Sequence, residues 1–292
     1  MSQGQRGKTA GVLVSSQDAW FVRRALGGIR PELETMGWNW KAIELDGRKD
    51  LDYHRFIEQV ADDPEISGII YGHLRLSSAQ LARFRQRGLA VVGLTERAEG
   101  VDWITVDELH GAYLATEHLL ALGHRNLALV NGPPLAVQAC LREDGFRRAM
   151  ADAGLRPGRD LEVELLNFSV DEGRDAANML LDLPHPPTAI FVAAGDVTAL
   201  GVMEALVERG VRIPQDISVV GFDDLEIAGL CQPPLTTVHQ PLEAMGRWAA
   251  RQLVKAVSEG PAHEPLGEIY APQLVLRASS SQAAQIAAAR KT

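Results

Sequence analysis

Two cysteines, Cys140 and Cys231, are all that the 292 residues contain. That scarcity excludes a disulfide framework or a cysteine metal cluster and favours a reducing compartment. Long apolar runs are missing too. The opening "MSQGQRGKTAGVLV" is cut short as a signal peptide by Ser15, Ser16, Gln17 and Asp18, and no span is long enough to cross a bilayer. A cytoplasmic address is therefore expected. Positive charge is in deficit: 29 Lys and Arg face 38 Asp and Glu, a formal net charge of -9. A surface of that sign is a poor match for polyanions, so these residues are not expected to be the ones that touch DNA.

Enzyme signatures are equally thin. The chain has no G-x-S-x-G elbow, no H-E-x-x-H, no P-loop and no G-x-G-x-x-G after its first strand. Hydrolase, metalloprotease, NTPase and dinucleotide chemistries lose their usual support. The eight histidines are scattered without metal-ligand spacing, and His73, His118, His124 and His239 read as surface or cap residues. No metal and no cofactor is expected.

What the chain does have is alternation. "AGVLVS", "ISGIIYG", "LAVVGL", "NLALVNG", "TAIFVAA" and "ISVVGF" are continuous apolar runs of strand length, as strands buried on both faces of a parallel sheet require. Helical patterns lie between them: Ala199, Val202, Met203 and Leu206 recur at i, i+3, i+4 and i+7, and Ala112, Ala115, Leu119 and Leu122 do much the same. Gly123 and Gly210 supply stops. The pattern predicts an α/β fold with parallel sheets and right-handed crossovers. A chain of 31.7 kDa with six or more such units is enough for two lobes. The Pro133-Pro134 pair reads as the exit from one sheet into a second, and "PPLTT" from Pro233 as the return. That bracketing predicts an N-terminal lobe of 8–131 plus 239–260, a C-terminal lobe of 132–238 plus 261–279, and a frayed tail of 280–292.

In open α/β sheets, ligands bind beyond the carboxyl ends of the strands. Those ends carry Ser15 to Phe21, with Trp20 among them; Gly72 and His73; and Glu96 and Arg97. Further on they carry Gln138 and Arg142, Phe168 and Ser169, Gly195 and Asp196, and Asp223 and Asp224. Aromatic faces, a guanidinium and carboxylates form the chemical set that recognises polyhydroxylated small molecules. Plainer readings compete. Asp196 and Asp224 suit helix N-caps, Gln138 and Arg142 could share a solvated helix face, and Phe168 could be core.

The segment "TAIFVAAGDVTALGVMEALVERGVRIPQDISVVGFDDLEIAGLCQPPLTTVHQPLEAMGRWA" closely resembles the lac and galactose repressor family of bacterial transcription regulators. "ATEHLLALGHRNLALVNGP" and "REDGFRRAMADAG" resemble it too, and the likeness runs from about Lys8 to about Ser279. It implies two doubly wound parallel-sheet lobes of periplasmic-binding-protein type joined by three crossovers, with a small polar effector in the cleft: a sugar, polyol, nucleoside or purine. Carried over by position, effector contacts fall on Arg142, Asp223, Phe168 and Gln240. Trp20, Phe21, His73, Gly195 and Asp196 complete the expected site. Two departures stand out. The family usually has Asn-Asp where this chain has Gly195-Asp196, and Asn-Pro-Phe-Phe where it has Ala19-Trp20-Phe21-Val22, which implies an altered pocket.

The resemblance further implies a homodimer whose helix-turn-helix headpieces read operator DNA. That headpiece is expected to lie outside these residues, with "RGKT" at Arg6 to Thr9 as the junction. The expected function is the effector-binding and dimerisation region of a non-enzymatic, ligand-responsive transcriptional regulator. A solute-binding protein feeding a transporter shares the fold and is the alternative. A sugar-processing enzyme using Asp223 and Asp224 is disfavoured, because adjacent residues point in different directions. Arg142 and Asp223, as ligand groups rather than core, are expected to matter little for stability.

Overall fold

A computed structural model describes residues 8–14, 20–44, 50–72, 76–134 and 136–283. In chain order the elements are β1 (Thr9–Val14), α1 (Trp20–Thr35), β2 (Asn39–Glu44), α2 (Asp50–Asp62), β3 (Ile66–Gly72), α3 (Ser78–Gln86), β4 (Ala90–Leu94) and β5 (Asp102–Val106). Next come α4 (Glu108–Ala121), β6 (Leu127–Asn131), α5 (Val137–Asp152), β7 (Glu162–Glu164), α6 (Val170–Leu181), β8 (Ala189–Val192), α7 (Asp196–Glu208) and β9 (Ser218–Asp223). The chain finishes with α8 (Glu226–Leu230), β10 (Thr236–His239), α9 (Leu242–Glu259), β11 (Gly267–Tyr270) and β12 (Gln273–Val275).

These elements form two compact units, 1–106 with 241–270, and 107–240 with 271–292. The chain therefore passes between units three times. The first passage is at Val106/Asp107, not at the Pro133-Pro134 pair, which lies within the second unit just after β6. α9 lies in the first unit, within the stretch 239–260 expected there, whereas 261–270 with β11, expected in the C-terminal lobe, also belongs with the first unit.

The first unit is a six-stranded sheet in the order β11-β5-β4-β3-β1-β2, parallel throughout. β3 is buried at every position, as its unbroken apolar run demands. One face of this sheet packs against α1 and α9, through Ile29 and Leu33 on one helix and Met245, Ala249 and Leu253 on the other. The close approach of those helices depends on glycine: a Cβ on Gly28 would lie 1.9 Å from Glu243 O.

The second unit repeats the plan in the order β12-β10-β9-β8-β6-β7, parallel except that β12 runs antiparallel to β10 at the edge. After β6 the chain moves to one side for β7, then back across for β8, β9 and β10. The strand order thus reverses between β6 and β8, where doubly wound sheets place their ligands. The helix stripes behave as the spacing predicts: Ala199, Val202, Met203 and Leu206 are buried. Gly123 and Gly210 follow α4 and α7 with φ of +89° and +76°.

The tail is not frayed as far as it is described. Ser279 Oγ accepts from Thr236 N at 2.8 Å and donates to Val219 O at 2.6 Å, and Ala283 N donates to Leu122 O at 2.9 Å. His118 and His124, read as surface or cap residues, hold this segment instead. His118 Nε2 meets Ser280 Oγ at 2.9 Å, and His124 Nε2 meets Ser281 O at 3.0 Å. Burial pushes both imidazoles below their ordinary pKa. Among the described residues no helix is long and apolar enough to cross a membrane.

Candidate functional site

At the carboxyl edge of the second sheet, one buried guanidinium organises the surroundings. Arg142 sits on α5, the helix that follows β6, and is 6% exposed. Its Nε donates to Glu108 Oε2 at 2.7 Å and its Nη1 to Ala193 O, just past β8, at 2.6 Å. Nη2 lies 3.6 Å from Asp223 Oδ1 at the end of β9. The guanidinium carbon stands 3.8 Å from the centre of the Phe222 ring, a cation–π contact inside protein. Burial opposes the charge, but Glu108 and Asp223 outweigh it and keep Arg142 protonated. The solvated helix face considered for Arg142 is thereby ruled out.

Asp223 breaks the strand alternation. Its φ of +105° is rare for a residue with a side chain. Phe222 and Asp223, although consecutive, both reach Arg142. Gln240, just beyond β10, donates from Nε2 to Asp223 Oδ1 at 2.6 Å. Burial pushes the Asp223 carboxyl up to about 6; Arg142 pulls it down, Glu108 pushes it up and the Gln240 hydrogen bond pulls it down. Gln240 Oε1 and Asn131 Oδ1, both buried, have no hydrogen-bond partner among the described residues. Buried acceptors left open are uncommon and costly.

Neither of the other two aspartates is the N-cap it could have been. The α7 cap position is Gly195, and Asp196 is fully buried, accepting from Leu225 N at 2.8 Å and Thr237 Oγ1 at 2.6 Å. Both its oxygens tie β10 and the start of α8 to α7, so the side chain serves the fold. Burial, then the charge of Asp223, raise its pKa well above the ordinary value. The α8 cap position is Leu225. Asp224 is instead held by His239 Nδ1 at 2.9 Å and by Arg277 Nη2 at 2.5 Å.

Phe168 is not core. It is 49% exposed, and its ring lies over Gly132, where an added Cβ would come within 2.2 Å of Phe168 Cε1. Ser169 next to it caps α6, accepting from Glu172 N at 3.2 Å. In the first unit, Trp20 opens α1 and is 39% exposed. Phe21 lines a small cavity with Val14, Leu26, Ile70, Gly72 and Leu94, at the reversal between β1 and β3. His73 lies outside the described residues.

Arg142, Asp223, Gln240 and Gly195 are therefore brought together within one unit, with Phe168 exposed on the same unit. Sequence reasoning missed Glu108 and Phe222. Glu108 stands at the first position of α4 and could have been found as a strand-end residue following β5. Phe222 reads as plain core from its apolar run.

A family model described as a periplasmic binding protein-like domain matches residues 116–280. The HTH-type transcriptional regulator DegA of Bacillus subtilis is 32% identical over 245 residues, 82% of this chain and 70% of its own length. The HTH-type transcriptional repressor PurR of Histophilus somni is 36% identical over 200 residues, 68% of this chain and 59% of its own. A solved structure of the transcriptional regulator CelR in complex with cellobiose superposes with a TM-score of 0.84 at 28% identity, covering 96% of this chain and 86% of that one.

Proposed function

Since this chain belongs to the lac and galactose repressor family of transcriptional regulators, we propose that its second unit binds a neutral, hydroxyl-rich small molecule as an effector. The observation that carries this reading is the Arg142–Asp223–Gln240 cluster at the carboxyl ends of parallel strands beside the point where strand order reverses. Its chemistry selects the ligand. Glu108, Asp223 and Asp224 outnumber Arg142 and Arg277 in this part of the unit, so a phosphorylated or carboxylated ligand meets repulsion. Asp223 and the open acceptors Gln240 Oε1 and Asn131 Oδ1 instead suit a ligand that donates from hydroxyls or ring N–H groups. Phe168 offers an apolar face for a sugar or purine ring.

The protein is proposed to act in the cytoplasm as a homodimer, without cofactor or chemical step. Operator DNA is proposed to be read by a helix-turn-helix headpiece, which the net charge of -9 makes these residues unsuited to replace. The relatives described above are named as transcriptional regulators, which disfavours a receptor that feeds a transporter.

A thermal-shift screen against neutral sugars including cellobiose, polyols, nucleosides and purines tests the reading. A ligand that binds only the folded state adds about 2.7 kcal/mol at a hundred times its Kd, a rise of several degrees. Asp223→Ala should abolish the rise. A panel without a hit, or a hit that Asp223→Ala leaves intact, counts against the assignment.

Gly132→Ala probes the aromatic face. The new methyl must displace the Phe168 ring, so affinity for the panel's best ligand is expected to fall at least tenfold by calorimetry. The unliganded melting point should move little, because the ring is half exposed. Unchanged affinity removes Phe168 from the site.

A further inference from the structure

Gly195 joins the end of β8 to the start of α7 with φ of +104° and ψ of 169°, a conformation essentially confined to glycine. Backbone freedom alone would explain the residue, but a second observation concerns what fills the space beside it. A Cβ built on Gly195 would lie 2.5 Å from Asp223 Oδ2 and 3.5 Å from Asp223 Cγ. The carboxylate occupies the volume that a side chain at 195 would take. Oδ1, the other oxygen, is the one that Gln240 and Arg142 address. Asp223 and Gly195 both have positive φ, +105° and +104°, and they meet at this contact.

We propose that Gly195 is a specificity-determining position. By lacking a side chain it seats the Asp223 carboxylate against the start of α7, and so fixes the depth and direction from which that acceptor meets a ligand hydroxyl. The proposal rests on the reading of Asp223 as a ligand acceptor given above. Gly221 makes an instructive pair with it. A Cβ there would lie 2.4 Å from Asp196 Oδ1, but that oxygen is taken by Thr237, and Asp196 is sealed from solvent. One glycine seats a carboxylate that braces the fold; the other seats the carboxylate assigned to the ligand. Any residue larger than glycine at 195 pushes Asp223 outward and presents it from a shallower position.

The test is a double-mutant cycle on the full chain without ligand, at pH 4, where the folded Asp223 carboxyl is protonated: Gly195→Ala, Asp223→Ala and the two combined, each unfolded in urea. Gly195→Ala is expected to lower the folding equilibrium constant at least tenfold more with Asp223 present than after Asp223→Ala has emptied the seat. Equal losses would overturn the proposal, since the penalty would then be that of the backbone alone. Failure of both Gly195 variants to fold would overturn it as well, because emptying the seat should rescue the second. A carboxyl carbon NMR titration gives a readout that a purely structural role would not move. In Gly195→Ala the Asp223 midpoint should fall by at least one pH unit as the group is pushed toward solvent; an unmoved midpoint contradicts the seat. Against the sugar panel, Gly195→Ala should reorder the ligands, and a uniform loss across cellobiose and the others contradicts the specificity role. The cycle and the titration use no ligand, so they can succeed where the panel fails. That combination would sink the effector reading while leaving the seat intact.

Discussion

Arg142→Ala is expected to cost about 3–5 kcal/mol of folding free energy, because it strips a buried anion of its counter-charge. Glu108 is 3% exposed and has the Arg142 guanidinium against its Oε2 at 2.7 Å. The substitution also leaves Ala193 O without its side-chain donor and opens a void over Phe222. This reverses the expectation, formed from the sequence, that Arg142 is a ligand group of little weight in stability. The side chain faces Asp223 electrostatically and also braces α4 and α5 against the end of β8. Loss of binding in Arg142→Ala therefore cannot by itself identify a ligand contact, which is why Asp223→Ala is the control in the ligand screen. A paired replacement, Arg142→Met with Glu108→Gln, should recover more than half of the loss by removing the stranded charge. The measurement must see the second unit. All five tryptophans, Trp20, Trp38, Trp40, Trp103 and Trp248, fall in the first. Tryptophan emission therefore reports on the first unit, and hydrogen exchange at β6 and β8 reads the second directly. A loss under 1 kcal/mol in urea would show that the pair is far more solvated than its geometry implies.

The strands that could be read from the chain are those whose environment imposes one pattern on every residue. β1, β3, β4, β6, β8 and β9 are buried on both faces, so their sequences are unbroken apolar runs. β2, "NWKAIE", lies at a sheet edge and alternates exposed positions with two partly buried ones and the buried Ile43, and β7 spans only three residues. β10, "TTVH", is interior but polar, because Thr237 is committed to Asp196 and Thr236 to Ser279 and Arg277. A hydrophobicity pattern cannot reveal a strand whose burial is purchased with hydrogen bonds. The unit boundary failed for a related reason. A proline pair marks a local turn, whereas the passage at Val106/Asp107 is defined by which sheet each side packs on, and nothing in the local composition marks it. The site divides in the same way. Arg142 and Asp223 follow from the rule that ligands gather at strand ends, a property of topology. The partnership of Arg142 with Glu108, 34 residues away, and the commitment of Asp196 to Leu225 and Thr237 are tertiary facts that spacing does not contain.

Asp223→Asn is expected to make the protein more stable at pH 7.5 while weakening its ligand binding, and the pH dependence identifies the cause. In the folded chain, burial raises the Asp223 carboxyl from an ordinary value of 3.8 to about 6. Between those values the folded state holds a proton that the unfolded state has released, so stability declines as pH rises through the window and is level above it. At about 1.4 kcal/mol per pKa unit the ionised group costs the fold roughly 3 kcal/mol at neutral pH. Asparagine keeps the shape and an oxygen for Gln240 Nε2 but carries no charge, so its advantage should be greatest above pH 7 and vanish below pH 4. Asp196 retains part of the slope. Its pKa is raised first by burial and second by Asp223, and the substitution relieves only the second. The accompanying loss in affinity for the panel's best ligand should be at least tenfold, since a carboxylate accepts more strongly from hydroxyls than an amide does. Urea midpoints at pH 4 and 7.5 decide the matter. A difference between variant and parent that is the same at both would mean that Asp223 is solvated and ordinary. A carboxylate retained at a cost to the fold is what a binding group, rather than a structural one, requires.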